Sequence, residues 1–309
     1  TTATPSGSSF SMIVVAIWGM AGPVIKNTLH YFDPITFLTL RFFITSVVLV
    51  PLLLATQKSA VRALFRLTAK EWFVLVVCGL TGTTVQLLLL LWGFSLTSAI
   101  DGSLISATSP ILSTLTGWWL LKEHITGRER LGVIIAFGGS IVAVLHPLLQ
   151  TGKLFSGSLV GNLLIFLSNV AWVAYVILSK NQLRKHLSPL LVTTTNFFVG
   201  FLSMSLILVF THSLPKVYYQ LITHNFTVYF GVFYMAIVSG ALAYFLYQKA
   251  QKSIETSEAN VFIYLQPLFS TPLAYFWLHE SISFHFLVSA VLISTGVILA
   301  GTKSRRHLL

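Results

Sequence analysis

The chain has 309 residues, 55% of them hydrophobic and only 9% charged, with a mean hydropathy of +0.84. A soluble domain carries roughly 25% charged residues, so this chain cannot clothe itself in a polar shell, and lipid is its expected solvent. The formal net charge of +11 then reads as cations gathered on one side of a membrane. A nucleic-acid face would need a soluble surface to sit on, so no nucleic-acid partner is expected.

A spanning helix needs about 20 mostly apolar residues, and ten such stretches follow one another. They run over Phe10–Leu29, Pro34–Ala55, Glu71–Leu96, Ala99–Leu121, Arg128–Leu148, Ser158–Lys180, Pro189–Phe210, Thr227–Ala250, Ser257–His279 and Phe284–Thr302. The first is long enough to stay as an anchor rather than be cleaved. Asp33-Pro34 and Ser188-Pro189 each put proline in a first helical turn, where its missing N–H is harmless. Cys78, the single cysteine, lies inside an apolar run, so neither an intramolecular disulfide nor a thiolate metal cage is available.

Lysine and arginine in the loops set orientation. On the side of the N-terminus, loops and tail carry fifteen, from Lys58, Arg62, Arg66 and Lys70 through to Lys303, Arg305 and Arg306. The other side carries three, Lys26, Lys153 and Lys216, and Arg41 lies within a span. Both termini are therefore expected in the cytoplasm, in a multi-pass protein of the inner (plasma) membrane.

The stretch Leu96–Leu145 occurs twice, about 157 positions apart. Pro110 falls on Pro267, Leu121 on Leu278, Glu123 on Glu280, and Gly139 on Gly296. At slightly different offsets Trp18 matches Trp172, Pro34 matches Pro189, Phe42 matches Phe197, and Gly82 matches Gly240. A fixed order held through several helices is an internal repeat. Residues 1–150 and 151–309 thus form two five-helix units. Five is odd, so the second must enter the membrane upside down. Inverted repeats are the architecture of secondary transporters, with the substrate site near the midplane between halves.

Polar residues at membrane depth face partners or water. Counted from the helix ends at about 1.5 Å per residue, Gln86, Ser109, Asn169, Asn196, Tyr244, Tyr264 and Gln266 fall near mid-depth, with Trp18 and Trp172 as a deep matched pair. Several are repeat equivalents: Gln86 with Tyr244, Ser109 with Gln266, and Arg41 with Asn196. Each has two readings, as cavity lining or as packing. Pro110 and Pro267 free a carbonyl one turn back and can hinge a helix. Arg41, about 10 Å into its helix, either snorkels to the headgroups or orients a carboxylate or an outer gate, with Asp33 or Asp101 as possible partners.

The eight acids avoid the helix midpoints; only Asp101 and Glu258 lie a turn or two inside a span, as candidate gating residues. A proton-coupled carrier wants a buried carboxylate, so a uniporter or exchanger is easier to support, and a proton-linked drug exporter is the rival. No metal or cofactor motif, nucleophile arrangement or phosphate-cradling loop is present, which leaves a membrane enzyme or scramblase-like protein as the rival of another class.

Trp18-Gly19, Pro34 with Leu40-Arg41-Phe42, and the run Thr97-Ser98-Ala99, Pro110, Glu123, Gly132, Gly139, with its echo Thr256-Ser257, Pro267, Glu280, Gly296, resemble the drug/metabolite transporter superfamily. More narrowly they are similar to its EamA-type ten-helix members. The resemblance implies an all-α membrane carrier with a central cavity, monomeric or dimeric, moving amino acids or other small metabolites, often outward. The four-helix multidrug relatives use an acid in the first helix, and the nucleotide-sugar and triose-phosphate relatives use cations in late helices. This chain has neither, since no Lys or Arg stands between Ser253 and Thr302.

Overall fold

The computed structural model describes residues 7–96, 105–106, 108–151, 158–184, 187–223, 226–266, 268–269, 276 and 284–301. Among them the long elements are helices α1 (Gly7–Thr28), α2 (Pro34–Thr56), α3 (Lys58–Leu64), α4 (Ala69–Leu96), α5 (Ser109–Leu121) and α6 (Gly127–Thr151). The second half supplies α7 (Leu159–Arg184), α8 (Pro189–Phe210), α9 (Leu214–Thr223), α10 (Tyr229–Ser253), α11 (Thr256–Val261, continued by a 3₁₀ turn to Leu265) and α12 (Phe284–Gly301). Six of these, α1, α2, α4, α7, α8 and α10, are long and apolar enough to cross a membrane. The helices α5, α6, α11 and α12 overlap the other four expected spans but are not among the six, so the described residues show six spans rather than the ten expected. Asp101, Pro267 and Glu280 lie outside the described residues.

Helix starts follow local chemistry. Asp33 caps α2 by accepting from the N–H groups of Ile35 (3.1 Å) and Thr36 (3.4 Å), with Pro34 in the first turn. Thr68 and Glu71 cap each other reciprocally at α4, and Thr126 and Glu129 do the same at α6. Each device satisfies amides that the helix itself leaves orphaned. The short helices α3 and α9 join spans.

Side-chain contacts fix the relative directions. A Cβ on Gly7 would meet Ile254, and one on Gly231 would meet Thr28, so α1 and α10 run antiparallel. Gln57 meets Ser188 at one end of α2, and Asp33 meets Lys216 (3.5 Å) at the other. Most described lysines and arginines of the helix ends, including Lys58, Arg62, Arg66, Lys122, Arg128, Arg184 and Lys252, stand at the Gly7 end, and Lys26 and Lys216 at the other.

The packing has the symmetry of a two-fold axis relating the halves. The helix pairs in contact include α1 with α10 and its counterpart α7 with α4, and the self-paired equivalents α2 with α8, α5 with α11, and α6 with α12. The α6–α12 seam repeats its contacts residue by residue. Gly139 lies against Ile293, and its counterpart Gly296 lies against Ala136, the counterpart of Ile293. Gly132 approaches Gly296, while Ser289, the counterpart of Gly132, donates to the Gly139 carbonyl at 2.6 Å. Position numbers rise along one helix as they fall along the other, so the equivalent helices are antiparallel.

The three glycines of this seam, Gly132, Gly139 and Gly296, are required by space. A Cβ on Gly296 would stand 2.5 Å from Ala136 N, whereas one on Gly138 meets nothing within 4 Å. We therefore expect Gly296→Ala to lower the melting temperature of the purified protein in detergent by at least about 3 °C, from an overpacking cost of about 1–3 kcal/mol. Gly138→Ala should leave it unchanged or higher; equal behaviour of the two variants in a thermal ramp would contradict the seam.

Candidate functional site

Two of the long helices carry π-helical turns, Leu80–Val85 in α4 and Tyr234–Leu242 in α10. These are equivalent positions in the two repeats, with Gly82 and Gly240 inside them. A π-turn leaves carbonyls without their usual i+4 donors. Other helices supply donors to the turn in α10: Thr45 Oγ1 to Ala236 O at 2.8 Å, and the Trp18 indole N–H to Ser239 O at 3.1 Å. In α4, Thr83 Oγ1 bonds Gly79 O at 2.6 Å and reaches Asn196 O at 3.3 Å.

The glycines make these crossings possible. A Cβ on Gly82 would stand 2.1 Å from the Tyr175 ring, one on Gly240 would meet Thr45 Oγ1 at 3.0 Å, and one on Gly200 would meet Thr83 Oγ1 at 2.6 Å. Thr45 and Gly200 are repeat equivalents, so the two crossings mirror one another.

Between the π-turned helices lies an aromatic cluster. Trp18 and Trp172 meet edge-on at 5.5 Å, and Phe42 and Phe197 at 5.7 Å. Each pair consists of repeat equivalents facing one another, so the pseudo-two-fold axis passes between them. Tyr244 packs on Trp18 (5.3 Å) and Phe197 (5.0 Å), while Tyr247 packs on Trp18 (5.4 Å) and Trp172 (5.3 Å). Tyr175 completes it, 5.3 Å from Trp172, and accepts from Gln248 Nε2 at 2.5 Å.

Arg41 and Asn196 stand beside Phe42 and Phe197 in this central region. Arg41 is 3% exposed, too buried for a snorkelling side chain. Its Nε has no hydrogen-bond partner, and Tyr244 is the ionisable group within reach of its charge. The partner expected in Asp33 is engaged elsewhere, capping α2 and pairing with Lys216. Asn196 is fully buried with neither amide atom in hydrogen-bond geometry, the weak Cys78 thiol alone lying beside it. Gln86 is also buried, with an unpartnered Oε1.

The other expected site residues are dispersed. Asn169 donates to Ile105 O (2.8 Å) and Thr108 Oγ1 (3.2 Å), tying α7 to the start of α5. Ser109 is buried at the head of α5, and Pro110 occupies its first turn. Tyr264 belongs to a second apolar cluster with Val15, Phe262 and Ile293, its hydroxyl unpartnered. Gln266 presses its carbonyl against Gly19, next to Trp18. Glu258 sits in the first turn of α11, accepting from Ser8 Oγ at 3.1 Å.

Below the aromatics, at the Gly7 end, lies a polar network in which the Glu123 and Arg184 bonds cross between the repeats and the others lie within the second. Lys180 donates to the carbonyls of Gln251 and Ile254, and Glu123 accepts from Thr256 N at 2.9 Å, capping the start of α11. Arg184 donates to Leu121 O at 3.3 Å. Tyr247 donates to Asn260 Oδ1 (3.1 Å) and accepts from Gln251 Nε2 (3.3 Å). Reading for mid-depth residues passes over this network and over Tyr175 and Tyr247. Their signal was spacing: each lies three residues after a cluster member, Trp172 or Tyr244, hence on the same helix face.

Two recesses lie away from the cluster. One of about 470 Å³ is lined by Met12, Phe262, Leu265 and Val297, and one of about 430 Å³ by Gln57, Ala60, Leu187 and Ser188.

Comparison with known proteins matches residues 5–145 and 159–302 to the EamA-like transporter family. An uncharacterized transporter of Bacillus subtilis, YyaM, is 28% identical over 94% of this chain and 90% of its own. An uncharacterized transporter of Archaeoglobus fulgidus is 25% identical over 96% of each chain. A solved crystal structure superposes with a TM-score of 0.77 at 17% identity, covering 98% of this chain and 99% of its own, which shows a shared fold. With six apolar spans and a family match across both halves, this chain is a multi-pass membrane protein belonging to the EamA-like transporter family.

Proposed function

We propose that the protein is a secondary carrier of small neutral or zwitterionic metabolites, amino acids in the first place, working by alternating access as a uniporter or exchanger and serving export. The observation that carries this reading is the axial aromatic cluster, held between two π-turned helices at equivalent positions. A site on the axis between inverted halves is open to either side when one half rocks against the other. The halves are residues 1–150 and 151–309, each a five-span unit. Trp18, Trp172, Tyr244, Arg41, Asn196 and Gln86 contribute to the binding site, with Ser109, Asn169, Tyr264 and Gln266 at its margins. Pro110 and Pro267 serve as hinges, and Asp101 and Glu258 as gate residues.

Cations at the Gly7 end support cytoplasmic termini in the inner membrane. On that placement, the Lys180 and Glu123 contacts close the cytoplasmic side. Among the described residues the acids Asp33, Glu71, Glu123, Glu129, Glu255 and Glu258 all lie at helix ends. That favours transport without an obligatory proton.

Three outcomes are expected. In proteoliposomes, Trp172→Ala and Tyr244→Ala each cut counterflow of the transported solute at least tenfold with unchanged expression and monodispersity; normal counterflow in both removes the cluster from the site. Counterflow of the unmodified protein proceeds with no pH gradient, and strict dependence on one favours the proton-linked drug exporter. Finally, Lys180→Gln unlocks the cytoplasmic side. In a Cys78→Ser background, alkylation of Ser179→Cys from that side should speed up severalfold when Lys180 is replaced, and an unchanged rate argues against the latch.

A further inference from the structure

A guanidinium keeps its charge in any protein environment, and a charge buried without a partner is among the costliest features a membrane interior can hold. Arg41 is such a charge. It is 3% exposed, it forms no ion pair among the described residues, and its Nε bonds to nothing. At the equivalent position of the other repeat stands Asn196, fully buried, its amide bonded to no nitrogen or oxygen, with the weak Cys78 thiol beside it. Unpaired buried polar atoms are rare in native structures and call for an explanation.

Two unsatisfied groups at one pair of equivalent positions, flanking the axial Phe42–Phe197 contact, describe half of a hydrogen-bonded arrangement. The missing half must be negative, to answer Arg41. It must be planar enough to take a forked guanidinium, and small enough to lie beside aromatic rings. A carboxylate fits all three requirements, since Arg binds it through two parallel N–H···O bonds.

Resting on the carrier reading, we propose that Arg41 and Asn196 together form a carboxylate anchor, so that every substrate of this protein bears a carboxylate and binds in one orientation. The single orientation follows from asymmetry. The backbone frame around the axis is two-fold, but one repeat carries the cation and the other a neutral amide. The carboxylate therefore turns toward α2, and the remainder of the solute lies against Trp18, Trp172 and Tyr244. The three tyrosines of the cluster, Tyr175, Tyr244 and Tyr247, all belong to the second repeat; their equivalents in the first are Ala21, Gln86 and Leu89. The hydroxyl-bearing side chains of the cluster thus come from one repeat and the cation from the other.

The test uses full-length protein in detergent at constant chloride. Its melting temperature is measured with the common L-amino acids and with small monocarboxylates, each paired with its own carboxamide. A ligand that binds the folded form raises the melting temperature. At least one carboxylate should do so while its carboxamide does not. Arg41→Gln should abolish the shift, Arg41→Lys and Asn196→Ala should weaken its apparent Kd at least tenfold, and ligand-free Arg41→Gln should melt no lower than the parent. An arginine that is merely structural predicts a lower melting temperature for Arg41→Gln without ligand.

Stabilisation by carboxamides equal to that by carboxylates, retention of the shift in Arg41→Gln, or no shift with any carboxylate would each overturn the anchor. Should Arg41→Gln aggregate, Arg41→Lys and Asn196→Ala carry the same comparison. Counterflow separates this proposal from the carrier reading: amines or carboxamides that exchange while carboxylates do not leave a carrier without a carboxylate anchor.

Discussion

The carbonyls exposed by the π-turn of α10 need donors that α10 does not supply. In lipid, water cannot supply them either, and each unsatisfied group costs several kcal/mol. Thr45 of α2 and Trp18 of α1 answer Ala236 and Ser239, and the rest of the centre follows from this. Trp18 is held by its indole nitrogen at a fixed height, and its ring faces Trp172, Tyr244 and Tyr247. Thr45 draws α2 against α10, which brings Arg41 to the same region. The irregular backbone is tolerable only because other helices cover it. It is also a backbone that can change its hydrogen-bonding register at modest cost, since its acceptors already depend on tertiary donors.

The frame is symmetric and the lining is not. Equivalent residues meet across the axis as Trp18 with Trp172 and Phe42 with Phe197, and the glycine-dependent crossings at Thr45 and Gly200 are images of each other. Equivalent positions along the axis carry different side chains: arginine against asparagine, and tyrosine against glutamine. The Gly7 end is likewise specialised. Glu123 and Arg184 join the repeats there through bonds to backbone groups, while Lys180 ties α7 to the end of α10 within the second repeat.

Much of the architecture was legible before any coordinates. The repeat was readable because Pro110, Glu123 and Gly139 recur in order, and Pro189–Phe210 has the same bounds in sequence and structure. Depth and repeat equivalence single out Trp18, Trp172, Tyr244, Arg41 and Asn196, which lie buried or half-buried in the central region. Depth along a helix gives height but not the direction a side chain faces, which is why Asn169 and Tyr264 share the level of the cluster without joining it. The helices α3 and α9 escaped notice because a search for apolar runs of spanning length passes over short segments. The π-turns were invisible because their stability resides in donors on other helices, not in the local residues Leu80–Val85 or Tyr234–Leu242. The snorkelling reading of Arg41 failed for a related reason: helical rise measures distance to the end of the helix, not the packing that seals the path.

The glycine seam between α6 and α12 has a consequence for how such a chain can be divided. Its contacts are isologous: what Gly139 does to Ile293, Gly296 does to Ala136. A polypeptide holding only one repeat would carry a groove complementary to a second copy of itself inserted the other way up. Joining two such copies removes the need for dual insertion and frees each to diverge. Only a fused chain can place an arginine on one side of the axis and an asparagine on the other.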